Sequence, residues 1–174
     1  MTTSFIYAID VDNYLFDVRK VIRIALKNLD KIFYISLNRT AKNIKQFCIE
    51  SDVDPKKIFI LDMVSNRFRT PDPQEDVMYL DITSDPSNSL KQIVEALESH
   101  RCDTILFDSL STLELYYDVK TLTKFVHDLL VYTQSENLIS ILLIQRSDVE
   151  KEWVKSILPL VDELKEVHFD QTQL

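Results

Sequence analysis

Short runs rich in β-branched and aromatic residues alternate along the chain with longer segments in which apolar side chains recur every three or four positions. That is the pattern of parallel strands joined by crossover helices. Residues 5–10 (FIYAID) read as the first strand, followed by 31–36 (KIFYIS), 57–61 (KIFIL), 77–82 (VMYLDI), 104–108 (TILFD) and 139–144 (ISILLI). Most are apolar at nearly every position, as strands covered on both faces are. Between them Leu15, Val18, Val21, Ile22, Ala25, Leu26 and Leu29 lay one apolar stripe along a helix, and Ile44, Phe47 and Cys48 a shorter one. Ser89, Leu90, Ile93, Val94 and Leu97 mark a third helix; Leu122, Phe125, Val126, Leu129 and Leu130 mark a fourth, entered after Asp118 as its cap. A short helix is predicted over 148–157, a last strand over 158–169 and a frayed end over 170–174. Residues 65–76 (SNRFRTPDPQED) are polar and contain Pro71 and Pro73, and are predicted to be a surface loop. The expected fold class is α/β: a three-layer α/β/α sandwich with a mostly parallel sheet, built as one domain over residues 1–174.

Composition changes the picture mainly by exclusion. The 174 residues include no glycine, where ordinary usage would supply about a dozen. Backbone cradles for phosphate need glycine to turn sharply and to admit the ligand closely. A Walker A loop, a GxGxxG fingerprint, an EF-hand and a GxSxG nucleophile elbow are therefore all absent as motifs. Cys48 and Cys102 stand far apart, with no CxxC or Cys/His cluster, and are expected to be buried reduced thiols. No basic segment followed by a long apolar stretch opens the chain, and no apolar run reaches the ~18 residues of a membrane span. The expected location is cytoplasmic. Asn38-Arg39-Thr40 is then a chance match to a glycosylation site. With 20 Lys+Arg against 28 Asp+Glu the formal charge is −8, which disfavours nucleic acid as a partner.

In an open parallel sheet, ligands bind beyond the carboxyl ends of the strands where strand order reverses. The predicted strand ends offer Asp10, Asp12 and Asn13; Leu37, Asn38, Arg39 and Thr40; Asp62; Asp108, Ser109 and Ser111; and Gln145, Arg146, Ser147 and Asp148. Several blocks here, in order, resemble the KaiC/RecA-like group of P-loop ATPases, especially short archaeal KaiC-like members. KIFYISLNRTAKNIKQF is similar to that group's second strand and following helix. CDTILFDSLSTLELY resembles its Walker B strand, ending in Asp108 and Ser109; ISILLIQ resembles the next strand, and LPLVDELKEV the closing strand around Asp162. The resemblance runs from Phe5 to about Val167 and implies a RecA-like sheet.

Two departures fall on positions that carry the family's chemistry. Where the group places GxxxxGK[S/T], this chain has IDVDNYLFDVRK, with Asp10, Asp12 and Asp17 in place of glycines and lysine. A triphosphate would meet like charge there, at a cost on the order of 1 kcal/mol or more per close pair. After YISL, where the group has acidic residues that orient water, stand Asn38 and Arg39, neither of them a general base. The resemblance gives Asp108 the role of holding Mg²⁺ through water, whereas the alternative is a carboxylate capping a turn near Ser111. His100, His127 and His168 belong to no triad. Asp81 and Asp85 suit an Asx-turn and an N-cap better than a metal pair. Trp153 is either a partner anchor or core, and Tyr116 and Tyr117 with Leu113 and Leu115 offer an exposed aromatic edge. Arg67 and Arg69 either meet an acidic partner or are solvated.

The expected function is a non-catalytic KaiC/RecA-like protein that lacks the phosphate loop and serves as a protein-interaction or regulatory module, self-associating or pairing with a protein partner. No cofactor is expected, ATP with Mg²⁺ being disfavoured. Apolar surface is then expected at an edge strand or on the helix with Trp153. The rival is a sensor or ATPase that binds a nucleotide or phosphorylated ligand at an atypical strand-end site. Either way, the vestigial site comprises Asp12, Asn13, Asn38, Arg39, Asp108, Ser109 and Gln145.

Overall fold

A computed structural model describes residues 3–167 except 28, 68, 83 and 84. His168, the end at 170–174, the last two residues of the strand predicted over 158–169, and residues 83 and 84 of the Asp81–Asp85 turn lie outside the described residues. In chain order the elements are β1 (Ser4–Ile9), α1 (Tyr14–Leu26), β2 (Ile32–Ser36), α2 (Ala41–Glu50), β3 (Ile58–Asp62), β4 (Val77–Tyr79), α3 (Pro86–Ser99), β5 (Thr104–Asp108), α4 (Val119–Ser135), β6 (Ile139–Gln145), α5 (Glu152–Ile157) and β7 (Glu163–Glu166). The strands form one sheet in the order β4-β3-β2-β5-β6-β1-β7. Every ladder in it is parallel.

Period-two alternation divides the strand side chains between two cores. Ile6 and Ala8, Phe33 and Ile35, Ile105 and Phe107, and Leu142 and Ile144 pack with α3, α4 and α5 on one face. Tyr7 and Ile9, Ile32 and Tyr34, Leu106, and Ile141 and Leu143 pack with α1 and α2 on the other. The stripe of α4 lies against its face as the spacing predicts, and in α1 Val18, Val21, Ile22 and Ala25 do the same, whereas Leu15 is exposed and Leu29 falls beyond the helix end. Each fully buried Val, Ile or Leu contributes about 1.5–3 kcal/mol.

Without glycine, three helices close on other residues. Asp52, Arg101 and Asn137, which follow the C-caps of α2, α3 and α4, have φ of 54°, 37° and 57°. Such left-handed positions usually carry glycine. Backbone bonds after two of these helices, Val53 N to Cys48 O at 2.9 Å and Leu138 N to Thr133 O at 2.8 Å, hold the turns. Asp and Asn suit them because short polar side chains tolerate this region.

Several boundaries and placements differ from expectation. β4 stops at Tyr79. The region predicted as one helix over 148–157 splits into a 3-10 turn, Arg146–Asp148, and α5. The last strand is confined to Glu163–Glu166, because Pro159 falls in a 3-10 turn before it. Trp153 is 1% exposed, so it is core and not a partner anchor. Its direction follows from α5 packing its short apolar face onto the α4 layer. Tyr117 and Leu113 are buried, Tyr117 donating to Ser89 Oγ at 3.1 Å, so the expected aromatic edge reduces to half-buried Tyr116 and exposed Leu115. Arg67 and Arg69 are exposed, and the Arg67 guanidinium lies 4.8 Å from the Tyr116 ring centroid. Exposed apolar side chains fall on α1, α2, α4 and connecting turns, and among the described residues none of the large ones lies on α5 or an edge strand. Cys48 and Cys102 are free and buried, and burial pushes both thiols up to about 11.

Candidate functional site

Strand order sets where a site can form. From β1 the chain runs through α1 to β2, on one side of β5 and β6, whereas from β6 it runs through α5 to β7 on the opposite face. The carboxyl ends of β2, β5, β6 and β1 therefore lie at the position where open parallel sheets bind ligands.

Asp108 ends β5 opposite Ser36 of β2, and its side chain is fully buried. One carboxylate oxygen, Oδ1, accepts from the Tyr14 hydroxyl and, at 3.1 Å, from the Asn38 amide; Oδ2 accepts from the Tyr34 hydroxyl. Tyr34 lies two residues before Ser36, on the face that α1 covers, and Tyr14 opens α1 above it. The Arg39 guanidinium sits 5.2 Å from the Tyr14 ring centroid. Asn38 also donates to Ser109 Oγ at 3.4 Å and accepts from Thr112 Oγ1 at 2.5 Å, while the Ser109 and Thr112 hydroxyls are 3.1 Å apart. Asp108 thus does not cap the turn near Ser111, the alternative read from sequence. Ser111 instead accepts from the Gln145 amide at 2.8 Å. The Asp108–Ser109 peptide is cis.

Burial raises the Asp108 carboxyl above the ordinary aspartate range, and the bonds from Tyr14, Tyr34 and Asn38 and the Arg39 charge act against that rise. Burial and the Asp108 charge both raise the Tyr14 and Tyr34 phenols, which stay protonated donors. Because folded Asp108 holds its proton more tightly than an unfolded aspartate, its contribution to stability is full below about pH 3.9 and declines as pH rises through the folded value. The stability of the native chain relative to Asp108→Asn is accordingly expected to fall as pH is raised from 4. Urea denaturation of both proteins from pH 4 to 8 checks this, and parallel profiles would contradict it.

The first turn is closed differently. Only the four residues 10–13 separate β1 from α1. The Asp10 amide donates to buried Asp17 Oδ2 at 2.9 Å, and the Asp12 amide donates to Asp10 Oδ1 at 3.0 Å. Asp10 pairs with Arg146 at 3.3 Å, and Arg146 also donates to the Val167 carbonyl. The like-charge barrier expected from Asp10 is therefore partly neutralised. Asp17 is buried, and its carboxyl is raised chiefly by that burial.

Of the residues singled out from sequence, Asn38, Arg39, Asp108 and Ser109 come together. Asp12 is exposed on the turn, Asn13 makes no side-chain cap bond, and Gln145 joins the group only through its backbone and Ser111. Tyr14, Tyr34 and Thr112 were missed. Tyr34 carried a readable signal, since a phenol inside an otherwise apolar strand needs a buried partner. Asp62 is no free ligand: it is fully buried and accepts from Ala41 N (2.7 Å), Val64 N (2.8 Å), Ser65 N (2.9 Å) and Ser65 Oγ (2.6 Å). Asp85 caps α3 through Ser87 N, as expected. His100 stacks on Phe59 and bonds Ala96 O, and His127 meets Asp128, so neither joins the site. Among the described residues no cluster of three or more His, Cys, Asp or Glu side chains could hold a metal ion, and no helix is long and apolar enough to cross a membrane.

This parallel seven-stranded sheet with flanking helices is a KaiC/RecA-like α/β fold. It is similar to the crystal structure of the KaiC-like protein PH0186 from the hyperthermophilic archaeon Pyrococcus horikoshii OT3, with a TM-score of 0.67 and 12% identity over 98% of this chain and 75% of that one. Residues 22–173 match a family of unknown function, DUF7090, and the chain belongs to that family. No curated protein matches its sequence.

Proposed function

We propose that this chain is a non-catalytic KaiC/RecA-like protein, an archaeal KaiC-like member whose Walker A loop has been lost, acting in the cytoplasm as a protein-interaction or regulatory module. The observation that carries the reading is the saturation of Asp108. A Walker B carboxylate serves Mg²⁺ by accepting from the ion's water shell, and that ion normally shares its ligands with nucleotide phosphates. Here hydroxyl and amide donors of the chain itself occupy both oxygens, so the donor set does not fit a hydrated divalent cation. The β1–α1 turn adds to this: four residues without glycine leave no loop to wrap a phosphate. Of the first amides of α2, Ala41 N is taken by Asp62 and Asn43 N by Thr40.

The rival reading, a nucleotide or phosphorylated-ligand sensor, draws support from half-buried Arg39, whose guanidinium lies over the Tyr14 ring. Isothermal titration with ATP and ADP, each with Mg²⁺, separates the two. No heat of binding and no phosphate release are expected; micromolar binding or measurable turnover would overturn the proposal. Light scattering against concentration tests self-association, with a partner protein as the other form of the same module.

A further inference from the structure

We propose that this chain self-associates head to tail, the outward face of α1 in one copy docking on the acidic segment around β4 in the next. The inference rests on self-association being the form the module above takes, and it names the two surfaces involved.

Charge is segregated along the chain. Between Asp17 and Asp30 stand Arg19, Lys20, Arg23 and Lys27 with no acidic residue, whereas between Arg69 and Lys91 stand Asp72, Glu75, Asp76, Asp81 and Asp85 with no Lys or Arg. Folding leaves much of both segments uncompensated. Arg19, Arg23 and Lys27 recur at every fourth residue of α1 and so form one stripe about 12 Å long. Arg23 and Lys27 are exposed, and half-buried Arg19 lies 5.4 Å from the Phe16 ring centroid. Arg23 donates to the Ser51 carbonyl at 2.7 Å, and among the described residues none of the three enters an ion pair. Lys20 is placed apart from them, lining a groove with Glu166 of β7. Leu15 and Ile24, each 44% exposed, flank the stripe. Around β4, Lys45 engages Asp76 at 2.6 Å. Asp72, Glu75 and Asp81 are exposed and, among the described residues, also enter no ion pair.

The two surfaces cannot meet within one chain. β4 forms one edge of the sheet and α1 packs against β1, five strand spacings away, or about 24 Å. Pairing them therefore joins unlike faces of different copies, a heterologous contact. An acidic edge repels a further strand but receives a cationic helix face. At about 0.1 M salt the screening length is about 10 Å, so repulsion between two chains of charge −8 is damped while opposite charges in contact still attract.

Light scattering against concentration tests the contact. Assemblies larger than the monomer are expected at about 0.1 M salt and should dissociate at about 1 M. Arg19→Glu/Lys27→Glu and Asp72→Lys/Glu75→Lys should each raise the dissociation constant about tenfold or more. An equimolar mixture of the two variants should restore association, because each supplies the surface the other has lost. Lys91→Glu/Lys120→Glu, with the same change in net charge as the α1 pair but on α3 and α4, should stay within about twofold. Circular dichroism confirms each fold; where charge reversal disturbs α1, Arg19→Ala/Lys27→Ala takes its place and should weaken association in the same direction. A native chain that is monomeric at every concentration, equal loss in the α3–α4 pair, or a mixture that stays monomeric would overturn the contact. So would a monomer whose α1 cations instead bind duplex DNA or phosphatidylserine vesicles. Nucleotide titration, which tests the non-catalytic reading itself, is independent of these outcomes.

Discussion

Replacing Asp62 with alanine is expected to lower the unfolding free energy by about 3–5 kcal/mol, since each buried donor left without its acceptor costs about 1–3 kcal/mol. The carboxylate ends β3 and gathers four donors: the first amide of α2, two amides of the turn after β3, and the Ser65 hydroxyl. It joins three consecutive pieces of chain that share no regular ladder. Asp62→Asn keeps one carbonyl oxygen but presents an amide to the remaining donors, and is expected to fall between alanine and the native protein. Urea denaturation followed by circular dichroism measures both. An alanine variant within about 0.5 kcal/mol of the native chain, the usual range for surface positions, would show that water replaces the carboxylate without loss.

The second large effect is expected at Trp153. Trp153→Ala should cost about 3–5 kcal/mol, the range for deleting a large buried aromatic side chain. The ring is among the largest fully buried side chains and belongs to the core shared by α3, α4 and α5. Its indole nitrogen is buried and has no hydrogen-bond partner among the described residues. Trp153→Phe removes that unpaired N–H together with part of the ring, so its cost should be clearly smaller than that of alanine. Because this is the single tryptophan, the native protein should also emit at short wavelength and lose that emission on unfolding. An alanine variant as stable as the native chain would return Trp153 to the surface role first considered for it.

The two strand-end aspartates show how far local pattern reaches. Asp62 and Asp108 both follow apolar runs, and both lie in register with Ser36 on the strand between them. Their flanking residues distinguish Asp108 only through the resemblance of its block to a Walker B strand. Asp62 faces backbone amides and becomes a structural knot, whereas Asp108 faces two phenols and an amide drawn from β2, α1 and the segment after β2. Asn38 and Arg39 were readable as site residues because they directly follow a strand. Tyr14 was not, because its role depends on α1 starting only four residues after β1 and leaning over β5, a strand distant in sequence.

By itself, the amino-acid sequence determined the alternation of strands and helices, the two-sided burial of the sheet, the caps at Asp85 and Asp118, and the absence of any glycine-built phosphate cradle. These follow from periods of two and 3.6 residues and from side-chain chemistry that acts over a few positions. Only the tertiary structure decided that Asp108 is enclosed by Tyr14, Tyr34 and Asn38, that Trp153 points inward, and that Arg146 neutralises Asp10. Each of these depends on strand order, which brings residues far apart in the chain to one sheet end. A buried polar group takes whatever partner that packing supplies.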